Sequence, residues 1–198
     1  MNTILKAVFF NKIVDLLISK LTNLYLRVFH DRVKLQLGKS CLENIENKGD
    51  GCKFKGMVRV YYDYGLTLGN HVRIGEDTFI FAMGGVYIKD NTQISRNVTI
   101  YSANHDINGT HIPYDSNYIC KPVKIGNSVW IGMNVQILPG VTIGDGAVIG
   151  MGAVISKDVQ AGEVVVGASQ RVVSKRDLTQ FYNKQNSELY FAKEWPEK

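Results

Sequence analysis

From Leu68 onward, apolar and polar positions alternate with a period of six. The chain reads LGNHVR, IGEDTF, IFAMGG; after a slip of two residues it reads IKDNTQ, ISRNVT, IYSANH. A long interruption follows, and the rhythm resumes as IGNSVW, IGMNVQ, ILPGVT, IGDGAV, IGMGAV, ISKDVQ, AGEVVV. Twelve units open on an aliphatic residue: Leu68, Ile74, Ile80, Ile88, Ile94, Ile100, Ile125, Ile131, Ile137, Ile143, Ile149 and Ile155. A small or β-branched residue stands fifth, as at Val72, Thr78, Thr92, Val98, Val129, Val135, Val141, Ala147 and Ala153. A period of six is too short for a helix pair and suits a short strand plus a corner. One aliphatic side chain per unit points inward, and three units close a triangular coil. Coils then stack at the ~4.8 Å spacing of paired strands, giving a parallel β-helix. Before Leu68 the phase is weaker (GMVRVY, YDYGLT), which predicts an irregular first coil.

The two ends follow another pattern. Over residues 4–29, Ile13, Leu17, Leu21, Leu24 and Val28 recur at helical spacing, with Lys12, Lys20 and Arg27 between them. Residues 1–40 are therefore expected to form an amphipathic helical segment. One reading lays it on an anionic membrane surface. The other packs it over the open edge of the β-helix. Residues 41–170 form the β-helix domain with a loop at 102–122. Residues 171–198 form a tail, in which Phe181, Tyr182, Leu189 and Tyr190 predict a short helix over 176–195 that packs on its own or a neighbouring subunit.

Composition narrows the class. An apolar fraction of 45% and 19 glycines in 198 residues fit one globular domain rich in tight turns. The formal net charge of +5 lies wholly in residues 1–40, so the body carries no basic stripe and nucleic-acid binding is not expected. Cys41, Cys52 and Cys120 are odd in number and lack CxxC spacing, which fits a reducing cytoplasm better than a disulfide framework or a zinc site. The start shows no secretion signal and no run long enough to span a bilayer.

The run VWIGMNVQILPGVTIGDGAVIGMGAVISKDV (129–159) resembles the C-terminal half of the galactoside, maltose and nodulation-factor acetyltransferases. It is also similar to the O-acetyltransferases of bacterial polysaccharide gene clusters. These are hexapeptide acyltransferases, and the resemblance covers about residues 68–173. It implies a mainly β fold, a left-handed parallel β-helix. It also implies a homotrimer with each active site between two subunits, acetyl-CoA as cosubstrate, no required metal, and a sugar or glycan acceptor. The interruption, YSANHDINGTHIPYD (101–115), places His105 where the family carries its catalytic histidine. An imidazole there would take the proton of an acceptor hydroxyl as it attacks the thioester.

Around that base, Asp106 either orients the histidine or caps the turn, and Asn104 either binds the acceptor or fixes the loop. His111 is read as a surface or acceptor-facing residue, and Asp63 in the first coil as facing the acceptor. Trp130 is expected beside the pantetheine arm or acceptor cleft, or else as a packing aromatic at a corner. Backbone N–H groups near Gly132 and Gly150 are candidate donors to the oxyanion and the pantetheine amides. Arg171, Lys175 and Arg176 are expected either near the adenine end or as a solvated basic tail. The family's Gly-x-Pro-Ala-Arg ending appears here as GASQR, with Ser169 in place of proline.

The sequence therefore predicts an acetyl-CoA-dependent O-acetyltransferase that works by direct transfer in a ternary complex. Amino-sugar N-acetylation and serine or xenobiotic acetylation are the alternatives within this class. Outside it stand a zinc lyase of the β-helix carbonic anhydrase kind, using His71, His105 and His111, and a β-helix scaffold without chemistry.

Overall fold

The computed structural model describes residues 3–106, 114, 116–167, 171–175 and 177–188. The repeat folds as a triangular prism of stacked parallel strands with three faces. Face A stacks Asn47–Lys48, Leu66–Leu68, Val86–Ile88, Val123–Ile125 and Thr142–Ile143. Face B stacks Lys53–Lys55, Arg73–Gly75, Gln93–Ile94, Trp130–Ile131, Val148–Ile149 and Glu163–Val166, and ends on Arg171–Lys175, which runs antiparallel. Face C stacks Arg59–Tyr61, Phe79–Phe81, Thr99–Tyr101, Gln136–Ile137 and Val154–Ile155.

The unit-opening residues form ladders up the inside of each face. Leu68, Ile88, Ile125 and Ile143 pair in register on face A, Ile74, Ile94, Ile131 and Ile149 on face B, and Ile80, Ile100, Ile137 and Ile155 on face C. All twelve are buried, and so are the fifth-position residues that fill the corners. The two corner threonines keep their hydroxyls bonded: Thr78 donates to the Ser95 carbonyl, and Thr92 to that of Gly126. The fourth position of the unit explains the recurrent Asn, Asp and Gly. His71, Asp77, Asn91, Asn97, Ser128 and Asn134 all adopt left-handed backbone, with φ between 52° and 59°. Short polar side chains tolerate that conformation better than bulky ones.

The first coils are longer than eighteen residues. Lys53 pairs with Arg73 and Arg73 with Gln93, twenty positions apart each time, whereas Trp130 pairs with Val148 at eighteen. The extra residues sit on the edge from face C to face A. The first coil turns there through a short 3-10 helix, Asp63–Gly65, and the second through a tight turn closed by Gly85 N–H on the Ala82 carbonyl.

The N-terminal helix, α1, runs from Thr3 to Asn44, close to the expected segment 1–40. Its last part packs on the first two coils. Lys34 pairs with Glu76 at 3.5 Å and Asp77 at 3.6 Å, Gly38 lies against Gly56, and Ile45 just beyond the helix is fully buried in the core. Further out, exposed apolar residues are not confined to the expected stripe. Leu16, Ile18, Tyr25, Leu26, Phe29 and Val33 lie on other sides of the helix, and the rings of Tyr25 and Phe29 stack at 5.8 Å. Among the described residues, no helix is long and apolar enough to cross a membrane. The tail helix, α2, is seen over Leu178–Asn186, while Leu189 and Tyr190 of the expected helix lie outside the described residues. It is capped by the Asp177 carboxylate, which accepts from Thr179 and Gln180 N–H. Its Phe181 lies against Gly146 on the A–B edge of the same chain.

Candidate active site

The interruption leaves the prism at the edge between faces C and A and forms a hairpin there. Ala103–His105 pairs antiparallel with Tyr118–Cys120, His105 opposite Tyr118. Its neck is tied to the coils. The buried Ser102 hydroxyl donates to the Phe81 carbonyl at 2.8 Å and accepts from Gly84 N–H, while Lys121 N–H returns to the Ser102 carbonyl. The chain then rejoins the repeat with Ile125 paired to Ile88 and Ile143, so the insertion leaves the core ladder unbroken.

His105 is held between two tyrosine rings. The Tyr114 ring lies 4.0 Å from it, nearly parallel, and the Tyr118 ring 4.2 Å. Tyr118 in turn touches Phe81 at 5.9 Å, and Phe81 meets Tyr101 at 5.1 Å and Tyr62 at 5.0 Å. A file of rings thus runs from the first coil up the outside of face C to the imidazole. Stacking covers the faces of an imidazole and leaves its ring-edge nitrogens for hydrogen bonding. Tyr114, Tyr118 and Ser102 were missed in the sequence. The alternation in NYICKPVKI was the available signal for a return strand carrying Tyr118 beside the histidine.

The other expected residues divide. Asn104 is exposed and alternates with His105 along the strand, so its side chain stands on the opposite side of the hairpin. Asp106 donates its backbone N–H to the Asn117 carbonyl at 2.9 Å, which extends the hairpin pairing. Asp63 accepts from Tyr64 N–H and lines a cavity under α1 with Leu37, Cys41 and Val60. The neighbouring Tyr62 connects it to the His105 cluster through Phe81 and Tyr118. His111 lies outside the described residues, as do Ser169 and Arg176. His71 occupies a left-handed corner on the A–B edge, away from the edge that carries His105. Among the described residues, no three His, Cys, Asp or Glu side chains gather as metal ligands.

The residues expected at the coenzyme collect on face B. Trp130 is 56% exposed on its outer surface, between Gln93 and Val148. Gly132 and Gly150 follow on the B–C edge, and the strand holding Arg171 and the exposed Lys175 ends the same face. One expectation is corrected here. The N–H of Gly132 donates to the Ile149 carbonyl and that of Gly150 to the Val165 carbonyl, both at 2.8 Å. Coil stacking consumes these two donors, so they do not point at a ligand. A side chain at either position would run into the next coil, which accounts for the glycines.

Beside Trp130, face B carries a cavity of about 530 Å³ lined by Lys55, Arg73, Gln93, Ser95 and the backbone of Gly75. Arg73 is only 7% exposed, and burial pulls its guanidinium below the ordinary value. In a triangular prism, face B is the side that excludes the C–A edge. Within one chain, therefore, the body of the prism separates His105 from Trp130.

A family model described as bacterial transferase hexapeptide (six repeats) matches residues 122–157. A galactoside acetyltransferase solved in complex with coenzyme A is 32% identical over 68% of this chain and 67% of that one, with a TM-score of 0.61. The chain belongs to the hexapeptide-repeat transferases. A maltose O-acetyltransferase from Clostridium difficile 630 is 28% identical to this hexapeptide-repeat chain. That alignment covers 78% of it and 88% of the relative, with a TM-score of 0.62. A protein of Escherichia coli strain K12 named for acetyl transfer in colanic acid biosynthesis, WcaF, is 29% identical over 87 residues. The match takes in 44% of this chain and 46% of that protein, so the chain spans about half the length of the curated relatives it matches.

Proposed function

We propose that this chain is an acetyl-CoA-dependent O-acetyltransferase that acts on a hydroxyl of a sugar or glycan, with His105 as general base. The hydroxyl oxygen attacks the thioester carbonyl carbon while an imidazole nitrogen takes its proton. The tetrahedral intermediate then collapses, the C–S bond breaks, and the imidazolium returns the proton to the leaving thiolate. No acyl-enzyme is formed and no metal is required.

The placement of His105 carries this reading. Its ring is fixed by tyrosines on a hairpin ejected from the repeat. The separation of the C–A edge from face B supports a site completed between copies, in a trimer. His105 of one chain would meet Trp130, Lys175 and Arg171 of its neighbour. Coenzyme A in the galactoside relative and the sugar-directed names of the relatives support the cosubstrate and the acceptor class. The exposed apolar residues of α1, with the net positive charge of residues 1–40, support a peripheral seat on an anionic, cytoplasmic membrane surface.

Thiol release from acetyl-CoA with a panel of sugars and glycans tests the reading. Acceptor-dependent release that falls at least ~100-fold in His105→Ala is the expected outcome. No release with any acceptor, or release untouched by the substitution, would overturn it.

A further inference from the structure

Aromatic side chains are unevenly shared among the three faces. Six of the chain's ten tyrosines, Tyr61, Tyr62, Tyr64, Tyr101, Tyr114 and Tyr118, belong to the file of rings on face C and the C–A edge. Among the described residues, the strands of faces A and B show one exposed aromatic each, Tyr87 and Trp130. The strand preference of aromatic residues would act on all three faces alike, so it does not explain the excess on one. Tyr61, Phe81 and Tyr101 stand in register on successive strands. At the ~4.8 Å spacing of paired strands, the rungs span about 10 Å, a strip longer than a seat for one ring. Phe79 stacks on Tyr101 at 5.5 Å and meets Tyr61 at 5.3 Å, so the strip is two rings wide. Cross-strand ring pairs stabilise a sheet, but that does not require rings left in water. Tyr61 is 53% exposed and Tyr64 67%. A contiguous exposed strip of this kind marks a contact surface. Tyr62 adds a second sign. Its φ of +60° is left-handed backbone, which disfavours a bulky side chain. From there its ring meets Phe81 edge-on, 5.0 Å away and at 79°. Backbone strain of this kind clusters at binding and catalytic sites.

The chemistry of the strip favours a sugar chain over a purely apolar partner. Each tyrosine offers a flat apolar ring face with a hydroxyl at its rim, which matches the C–H face and hydroxyl rim of a pyranose. The strip is also continuous with the candidate base. Phe81 touches Tyr118 at 5.9 Å, and Tyr118 touches His105 at 4.2 Å. A single sugar at His105 would leave most of the strip unused. We infer that the acceptor is a chain of sugars lying along face C. The unit to be acetylated sits at His105, and its neighbours stack on Tyr101, Phe81 and Tyr61. This rests on the acetyl-transfer reading for the fate of the acceptor, though not for the binding itself.

The test is therefore a binding measurement against acceptor length. Isothermal titration calorimetry on the full-length protein, with coenzyme A present, compares linear oligomers of glucose, galactose and N-acetylglucosamine, from the single sugar to the tetramer. In at least one series, each added unit that reaches a further ring should tighten binding about 2- to 13-fold. Tyr61→Ala should remove the gain of the longest oligomer, and Tyr61→Phe should retain it. Tyr182→Ala removes an exposed ring on α2, away from face C, and should leave every affinity unchanged. Thermal melts and sedimentation velocity check folding and assembly. Binding that does not tighten with length in any series, or a gain that survives Tyr61→Ala in folded protein, overturns the inference. Loss of the parent's assembly state in Tyr61→Ala overturns it too, because the strip would then be a contact between copies. His105-dependent acetylation of single sugars with no gain from length removes this inference and leaves the transfer reading standing. Tyr61-dependent binding of a tetramer that is never acetylated does the reverse.

Discussion

Replacing Tyr118 with leucine should cripple turnover while leaving the prism folded. Tyr118 touches the His105 ring at 4.2 Å and Phe81 at 5.9 Å, so leucine removes two aromatic contacts in one step. Each such contact contributes about 0.5–1.5 kcal/mol beyond its area, so the orienting energy lost is roughly 1–3 kcal/mol. If that energy holds the imidazole in its reactive pose, kcat should fall about 5- to 150-fold. The KM for acetyl-CoA should hardly change, because the residues proposed to hold the coenzyme lie on face B, which the body of the prism separates from His105. Tyr118→Phe keeps both ring contacts and should stay within about twofold of the parent, well inside the energy of one such contact. Steady-state thiol release, with each variant's melting temperature as the control for folding, measures both. Wild-type kcat in Tyr118→Leu would refute the idea that the rings position His105. Equal damage from phenylalanine and leucine would mean that the hydroxyl, and not the ring stack, does the positioning.

Other consequences follow from packing and burial. Ile137 sits in the middle of the face C ladder between Ile100 and Ile155, so Ile137→Ala should cost about 2–5 kcal/mol in denaturant unfolding. Gly38→Ala would normally gain helix stability, by about 1 kcal/mol. Here the added methyl would run into the Gly56 carbonyl, so faster proteolysis of α1 is expected and unchanged protection would count against that contact. Gly152 has a φ of +71° and open space where a side chain would go, so Gly152→Ala should cost about 1–2 kcal/mol from backbone strain alone, read as a lower melting temperature. Burial raises the thiols of Cys41 and Cys52 above their ordinary value, while Cys120 is exposed on the hairpin. Iodoacetamide at pH 8 should therefore label Cys120 first, as seen by peptide mass mapping.

The period of six carries the architecture by itself. An aliphatic residue that recurs every six positions can be buried only if the chain turns at the same interval, and the αL-tolerant Asn, Asp and Gly at the fourth position supply the turns. Ile74, Ile94, Ile131 and Ile149 are thus legible as one ladder without coordinates, and the broken rhythm at 101–124 marks where the chain leaves the core. The resemblance in the VWIG run and the position of His105 add the chemistry.

Proximity across the chain was not legible. Nothing in the spacing says that Tyr114 and Tyr118 close on His105, because that contact depends on the hairpin register. Nor does it say that Arg73, Gln93 and Trp130, twenty and thirty-seven residues apart, line one groove on face B. The fate of the Gly132 and Gly150 N–H groups was likewise hidden, because a repeat shows which residues turn but not which donors stacking consumes. Local periodicity records which side of the chain is buried. Only the closed prism decides which outward-facing side chains, far apart in sequence, become neighbours.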